Sequence, residues 1–134
     1  MIELPVRSQR SIQAIDITAS VTGHRWRDGM LWISCPHTTA SLLLGEADDD
    51  MLADYEHVAA ELFQPFRPFR HHRNDNPNAA AHLLSSFGGT ELLLPVEAGA
   101  VVLGTYQRIV FLELDGPKDR RVQAAVLAVT KSEE

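Results

Sequence analysis

The last third of the chain constrains the fold most. "ELLLPV", "AVVLGTYQRIVFLELDG" and "RRVQAAVLAV" follow one another with little more than "EAG" and "DGPKD" between them. Runs of aliphatic, β-branched and aromatic residues bounded by glycine, proline and aspartate read as strands joined by turns. Gly104, inside the second run, predicts a bulge or a close backbone approach. Upstream, residues 2–7 form a short strand that Pro5 confines to a sheet edge or a strand start. "MLWISC" (30–35) and "TTASLLL" (38–44) supply two more strands and leave His37 at the bend between them.

Helices interrupt this pattern. "DITASVTGHRWRDG" opens on Asp16 or Thr18 as a capping residue, spaces Ile17 and Val21 four apart, and ends at Asp28-Gly29, which predicts a helix. From Asp48 the apolar period becomes helical: Met51, Leu52, Tyr55, Val58, Ala59, Leu62 and Phe63 share a face that reads as core, and Asp48, Asp49 and Asp50 precede it, where acids complement the helix dipole. The prolines and polar tail of "FQPFRPFRHHRNDNPN" predict a long loop, the kind that is commonly functional or disordered in a compact domain. "NAAAHLLSSFGG" reads as a short helix capped by Asn78 and stopped at Gly88-Gly89. There is no internal repeat or linker. The expected product is one α+β domain over residues 1–134, β-rich and sandwich-like, with two or three helices.

Charge and cysteine content limit the function classes. A net charge of −6 lacks the basic stripe that tracks nucleic-acid phosphates, so no nucleic acid is expected. No apolar run approaches the roughly 20 residues of a membrane span, and the N-terminus lacks a secretory signal pattern. A soluble, cytoplasmic protein without membrane contact is expected. Cys35 is the only cysteine, which excludes an internal disulfide and a multi-cysteine zinc cage. It has no partner that would make it a thiolate nucleophile.

Any metal must therefore be held by histidine, carboxylate or amide. Of six histidines, His37 sits at a strand junction, His71 in the long loop, and His82 about one helical turn beyond Asn78. A polar loop delivering a histidine beside a histidine-bearing helix is one way to build a site, and three imidazoles with an open position suit a divalent ion. No pair matches a helical zinc signature. His24 and His57 read as surface residues, and whether His71 or His72 turns inward stays open. Glu46, Gln107 and Glu113 are polar residues in or beside strand patterns. The odd positions 107–115 share a face that mixes Gln107, Glu113 and Asp115 with Ile109 and Phe111, as a pocket wall would. Lys118, Arg120 and Arg121 at the "DGPKDRR" turn are suited to phosphate or carboxylate. "HLLSSFGG" lacks the lysine and spacing of a phosphate-binding loop, and Trp26 and Trp32 read as packing residues.

"HTTASLLLGEADDD" resembles the pattern H-T-[ST]-A-S followed by E-N-x-D. "HHRNDNPNAAAHLLSSFGGTELLLPVEAGAVVLGTYQRIVFLELDGPKDRR" resembles H…N-A-x-A-H-L…L-G-T-[WY]-Q…E-x-D-G-P-R-x-R. These motifs, in order from about residue 16 to 130, are similar to those of the YjbQ-like family, some of whose members are described as secondary thiamine-phosphate synthases. The resemblance implies a β-rich α+β fold, a homotrimer, and a site near the subunit interface. The matching positions are His37, Thr38, Ser41, Glu46, Asp49, His71, Asn78, His82, Gln107, Glu113 and Arg120. Ala47 stands where the pattern has asparagine, and Lys118 replaces its first arginine, which loses a fork-shaped donor.

The function so implied joins a pyrimidine-methyl diphosphate to a thiazole phosphate and releases pyrophosphate. His37, Glu46, Gln107 and Glu113 are the catalytic candidates. Thr38, Ser41, Asp49, Asn78, Lys118 and Arg120 are candidates for binding a small phosphorylated substrate, and His37, His71 and His82 for a divalent ion, zinc or magnesium. The alternatives are a trimer that binds a metal or small anion without turnover, and histidines that serve only as interface hydrogen-bonding groups.

Overall fold

The computed structural model describes residues 1–71 and 77–130. Its elements run β1 (Ile2–Arg7), β2 (Gln13–Asp16), α1 (Thr18–Thr22), β3 (Gly29–Ser34), β4 (Ala40–Gly45), α2 (Asp49–Glu61), a 3-10 turn (Gln64–Phe66), α3 (Ala79–Gly88), β5 (Glu91–Glu97), β6 (Ala100–Val101), β7 (Arg108–Glu113) and β8 (Asp119–Leu127). The strands form a five-stranded sheet of order β1-β8-β3-β5-β6 and a three-stranded sheet of order β2-β7-β4. Every pairing is antiparallel. The fold is α+β.

Two apolar clusters make three layers of this arrangement. Leu31, Ile33, Leu94 and Val122 of the large sheet meet Leu42, Ile109 and Phe111 of the small one. On the small sheet's other face, Val110 and Leu112 meet Ala59 of α2 and Ala81 of α3. Strand β7 is therefore buried on both faces, which explains its unbroken apolar run. The expected pocket wall at odd positions is corrected accordingly: Ile109, Phe111 and Glu113 turn into the interior between the sheets, while positions 107 and 115 lie outside the strand.

Three local expectations change for tertiary reasons. The helix expected over 16–29 contracts to Thr18–Thr22. Asp16 accepts the Thr18 N–H at 3.0 Å and hydroxyl at 2.6 Å, Thr18 Oγ1 accepts the Ile109 N–H, and the chain is drawn onto β7 instead of coiling further. The strand expected through 100–116 breaks at 102–107. There the Gln107 N–H donates to the Gly104 carbonyl at 3.1 Å and the Gly104 N–H to Gln107 Oε1 at 2.8 Å, so Gly104 belongs to a turn and not to a bulge. The apolar face of α2 is only partly core: Ala59 is buried, but Val58 and Leu62 are 52% and 51% exposed.

Candidate functional site

Strands β4 and β7 set where the candidate residues fall. Their register pairs Ala40 with Glu113 and Gly45 with Arg108, so whatever precedes β4 lies near the end of β7, and Glu46 lies beside Gln107. A six-residue strand spans about 20 Å. The candidates consequently separate to two ends of one small sheet.

At the first end the sandwich is closed by an ion pair between its two sheets. Arg120 of β8 donates from Nε to Glu113 Oε1 at 2.8 Å and from Nη2 to Oε2, and Nη2 also donates to Thr39 Oγ1 at 2.8 Å. Ser8 donates to Glu113 Oε1 at 2.7 Å, while the N–H groups of Leu114 and Asp115 donate to Oε2. Burial alone would push the Glu113 carboxyl up; the hydrogen bonds from Arg120, Ser8 and Asp115 outweigh it and hold the carboxyl below its ordinary range. Both oxygens are fully engaged, and Glu113 is wholly buried. Gly116 seals this corner, because a Cβ there would collide with the Arg10 carbonyl and would lie 2.7 Å from Ser8 Oγ.

His37 is held beside this pair. Extending the β3–β8 register from Ser34–Gln123 places Pro36 opposite Arg121, and proline has no N–H to continue the ladder. The His37 ring takes that place: Nε2 lies 3.1 Å from the Arg121 carbonyl oxygen and 3.2 Å from its nitrogen. Either tautomer satisfies one of the two. Burial, reinforced by the charge of Arg120, lowers the His37 pKa below that of free imidazole. Nδ1 makes no hydrogen bond among the described residues. The ring lines a cleft of about 360 Å³ with Thr38, Ser85, Ser86 and Thr90, an arrangement able to accept or donate a proton among hydroxyl groups. Cys35 is buried there and its thiol is pushed up by that burial, which leaves it a poor nucleophile.

Other candidates are engaged within the chain. Asn78 occupies the N-cap position of α3 as expected, but its side chain makes no capping hydrogen bond; its Nδ2 donates to Asp115 Oδ2 at 3.1 Å, and Lys118 Nζ donates to the same oxygen at 3.1 Å. Ser41 is buried and clips Gly89 by donating to its carbonyl at 2.6 Å. His71 and His82 come together, with ring centroids 4.8 Å apart, edge to face. His72 lies outside the described residues. Among the described residues no three histidine, cysteine or carboxylate groups could hold a metal ion, so His37, His71 and His82 do not form a ligand set within one chain.

At the second end, Glu46, Asp49 and Gln107 are exposed. Glu46 Oε1 accepts only the Ala47 N–H, at 3.1 Å, Asp49 lies in the first turn of α2 beside the capping Asp48, and Gln107 closes its own turn. Sequence reasoning missed Ser8 and Thr39, which complete the ion-pair network. Thr39 adjoins the recognised His37-Thr38 motif, but Ser8 carries no local signal because its partner is 105 residues away.

Comparison with other proteins agrees with this architecture. A sequence profile of the family described as UPF0047 protein YjbQ-like matches residues 2–129. The UPF0047 protein of Archaeoglobus fulgidus is 39% identical over 121 residues, covering 90% of this chain and 95% of that protein. A hypothetical protein from Aeropyrum pernix K1 superposes with a TM-score of 0.86 at 34% identity, covering 95% of this chain and 97% of its own. A YbjQ-like protein of unknown function from Sulfolobus solfataricus P2 gives 0.87 at 31% identity, with 96% of each chain covered. The chain belongs to the YjbQ-like UPF0047 family.

Proposed function

We propose that this protein is a homotrimer that forms thiamine phosphate as a side activity, at a site where the His37 end of one copy faces the Glu46–Gln107 end of another. In the reaction the thiazole nitrogen bonds to the pyrimidine methylene carbon. The carbon–oxygen bond to the diphosphate breaks, and its electron pair leaves with pyrophosphate. The observation that supports this best is the His37 imidazole, fixed at Nε2 by the Arg121 backbone and lowered in pKa, with Nδ1 as its remaining proton-transfer atom beside a hydroxyl-lined cleft. Gln107 and Glu46 would orient the pyrimidine, and Thr38 and Lys118 would meet phosphate. Glu113 and Arg120 act here through His37 and Thr39, as positioning residues.

A divalent ion, zinc or magnesium, belongs to this proposal as one that His71 and His82 hold with further ligands from a second copy; it would neutralise charge on the leaving group. The pairing of Arg120 with Glu113 favours a second reading, a metal- or anion-binding trimer without turnover, because the strongest candidate for gripping pyrophosphate is already occupied. Assays with both phosphorylated substrates, run beside elemental analysis of untagged wild type and His82→Ala, separate the two. Product formation that falls on His37→Ala supports the enzyme. Near-stoichiometric metal lost in His82→Ala without any product supports the binding protein. Neither metal nor product removes both.

A further inference from the structure

A cavity of about 370 Å³ lies where the C-terminal end of α2, the start of α3 and the end of β7 converge. Its apolar wall includes Ile12, Ala59, Ala81, Leu84 and Leu114, and its polar wall Ser11, Gln64, Arg67, Asn78 and Asp115. Separate stretches of one chain supply these residues, at 11–12, 59–67, 77–84 and 114–115. None of the residues given a role in the proposed reaction lines it. A concave space of this size, with an apolar wall and a few converging polar groups, is what a small-molecule site requires.

The charges on the wall are not balanced. Asp115 is its one carboxylate among the described residues, and Asp115 Oδ2 already accepts from Asn78 Nδ2 and Lys118 Nζ, each at 3.1 Å. Glu56, about one turn before Ala60 on α2, is spent on Arg10 and on the Ala14 N–H. Arg67 is the one cation on the wall, and among the described residues its guanidinium makes no hydrogen bond and no salt bridge. Phe69 holds it instead: the guanidinium carbon lies 6.0 Å from the ring centroid. A cation–π contact orients the guanidinium and uses none of its five N–H donors. The charge left without a partner is therefore positive and fork-shaped.

We infer that this cavity binds a small organic monocarboxylate, with both carboxylate oxygens on the Arg67 guanidinium and the hydrocarbon body against Ile12, Leu84 and Leu114. A carboxylate matches two parallel N–H donors of arginine. The apolar wall favours an organic acid over inorganic phosphate, which has no apolar surface to bury there. Binding of this kind requires neither thiamine-phosphate formation nor a second copy, because one chain supplies the whole wall.

Titration of the full chain with sodium benzoate and with sodium hexanoate, followed by backbone amide chemical shifts, tests this. At least one acid is expected to saturate, with the largest shifts at Ala81, Leu84 and Leu114. Arg67→Gln, at an exposed position, is expected to weaken that binding about 10-fold or more, as loss of a charge-assisted hydrogen bond does. Ala80→Leu, which fills the cavity from the half-buried first turn of α3, is expected to abolish it, and the spectrum of each variant verifies the fold. Benzyl alcohol, similar in shape to benzoate but uncharged, is expected to bind about 10-fold more weakly or worse. Absence of saturation by either acid overturns the inference. So does binding that Arg67→Gln leaves unchanged, that benzyl alcohol matches, or that inorganic phosphate displaces at equal concentration.

Discussion

The two ends of the small sheet differ in how completely their own chain occupies them. At the His37 end, Glu113 receives hydrogen bonds from Arg120, Ser8 and two backbone N–H groups, and even the imidazole is partly spent on the Arg121 backbone, where Pro36 ends the β3–β8 ladder. At the Gln107 end, Glu46 and Asp49 face solvent and Tyr106 projects without cover. The first end is built to hold a ring in one place. The second is built to present groups outward. Polar residues that look equivalent in a motif are therefore placed differently, committed within the chain at one end and open to solvent at the other.

The largest expected break in this contrast is Glu113→Ala. It strands the Arg120 charge in the interior and should cost about 3–5 kcal/mol in denaturant unfolding. A loss within about 0.5 kcal/mol, the range of an ordinary surface substitution, would show that the pair is not structural. Gly116→Ala forces a methyl group against the Arg10 carbonyl and Ser8 hydroxyl, and should cost about 1–3 kcal/mol as overpacking does. At the opposite end, Gln107→Ala removes one exposed turn hydrogen bond and should cost no more than about 1 kcal/mol, with its main effect on assembly or activity. A thermal unfolding series that ranked these three otherwise would erase the contrast.

Acid titration sharpens the same contrast. Glu113 has a folded-state pKa below its ordinary value, so its stabilisation is full above the unfolded value of about 4.3 and is lost as pH falls through the lower folded value. Asp16 and Glu56 shift in the same direction. The lowered His37 pKa works over a higher interval. The unfolded chain takes up the proton first, near pH 6.5, so stability begins to decline below that point and stops declining from this source once the folded imidazole is protonated. Stability measured from pH 7 to pH 3 should fall in two stages, with Glu113→Gln flattening the lower stage and His37→Gln the upper. Unchanged profiles in both variants would detach these residues from the acid response.

Much of the fold was legible in the chain because local pattern and tertiary role agree. The helical period after Asp48 gave α2, and Asp48 caps it by accepting the Met51 N–H. The apolar run around Phe111 gave β7. Agreement failed where long-range hydrogen bonds override local preference. Asp16 and Thr18 are cap residues by type, but β7 recruits Thr18, and the β formers around Tyr106 yield to a turn closed by Gln107's own amide. Pairing of a loop histidine with a helix histidine was legible, as His71 and His82 show. The division of the candidates was not. It follows from the β4–β7 register, which no single strand encodes, and the commitment of Glu113 depends on Ser8, 105 residues away, meeting it beside Arg120 of the following strand β8.

Mixed oligomers test most directly whether two copies complete one site. His37→Ala and Gln107→Ala chains, each expected on the proposed function to be inactive in thiamine-phosphate formation on its own, would be co-assembled in equal amounts. If each site takes its His37 end from one copy and its Gln107 end from the next, random mixing restores about one quarter of the sites, and activity should return to that level. Assembled mixtures that stay as inactive as their parents would contradict the shared site and place both ends' chemistry, if any, within single chains.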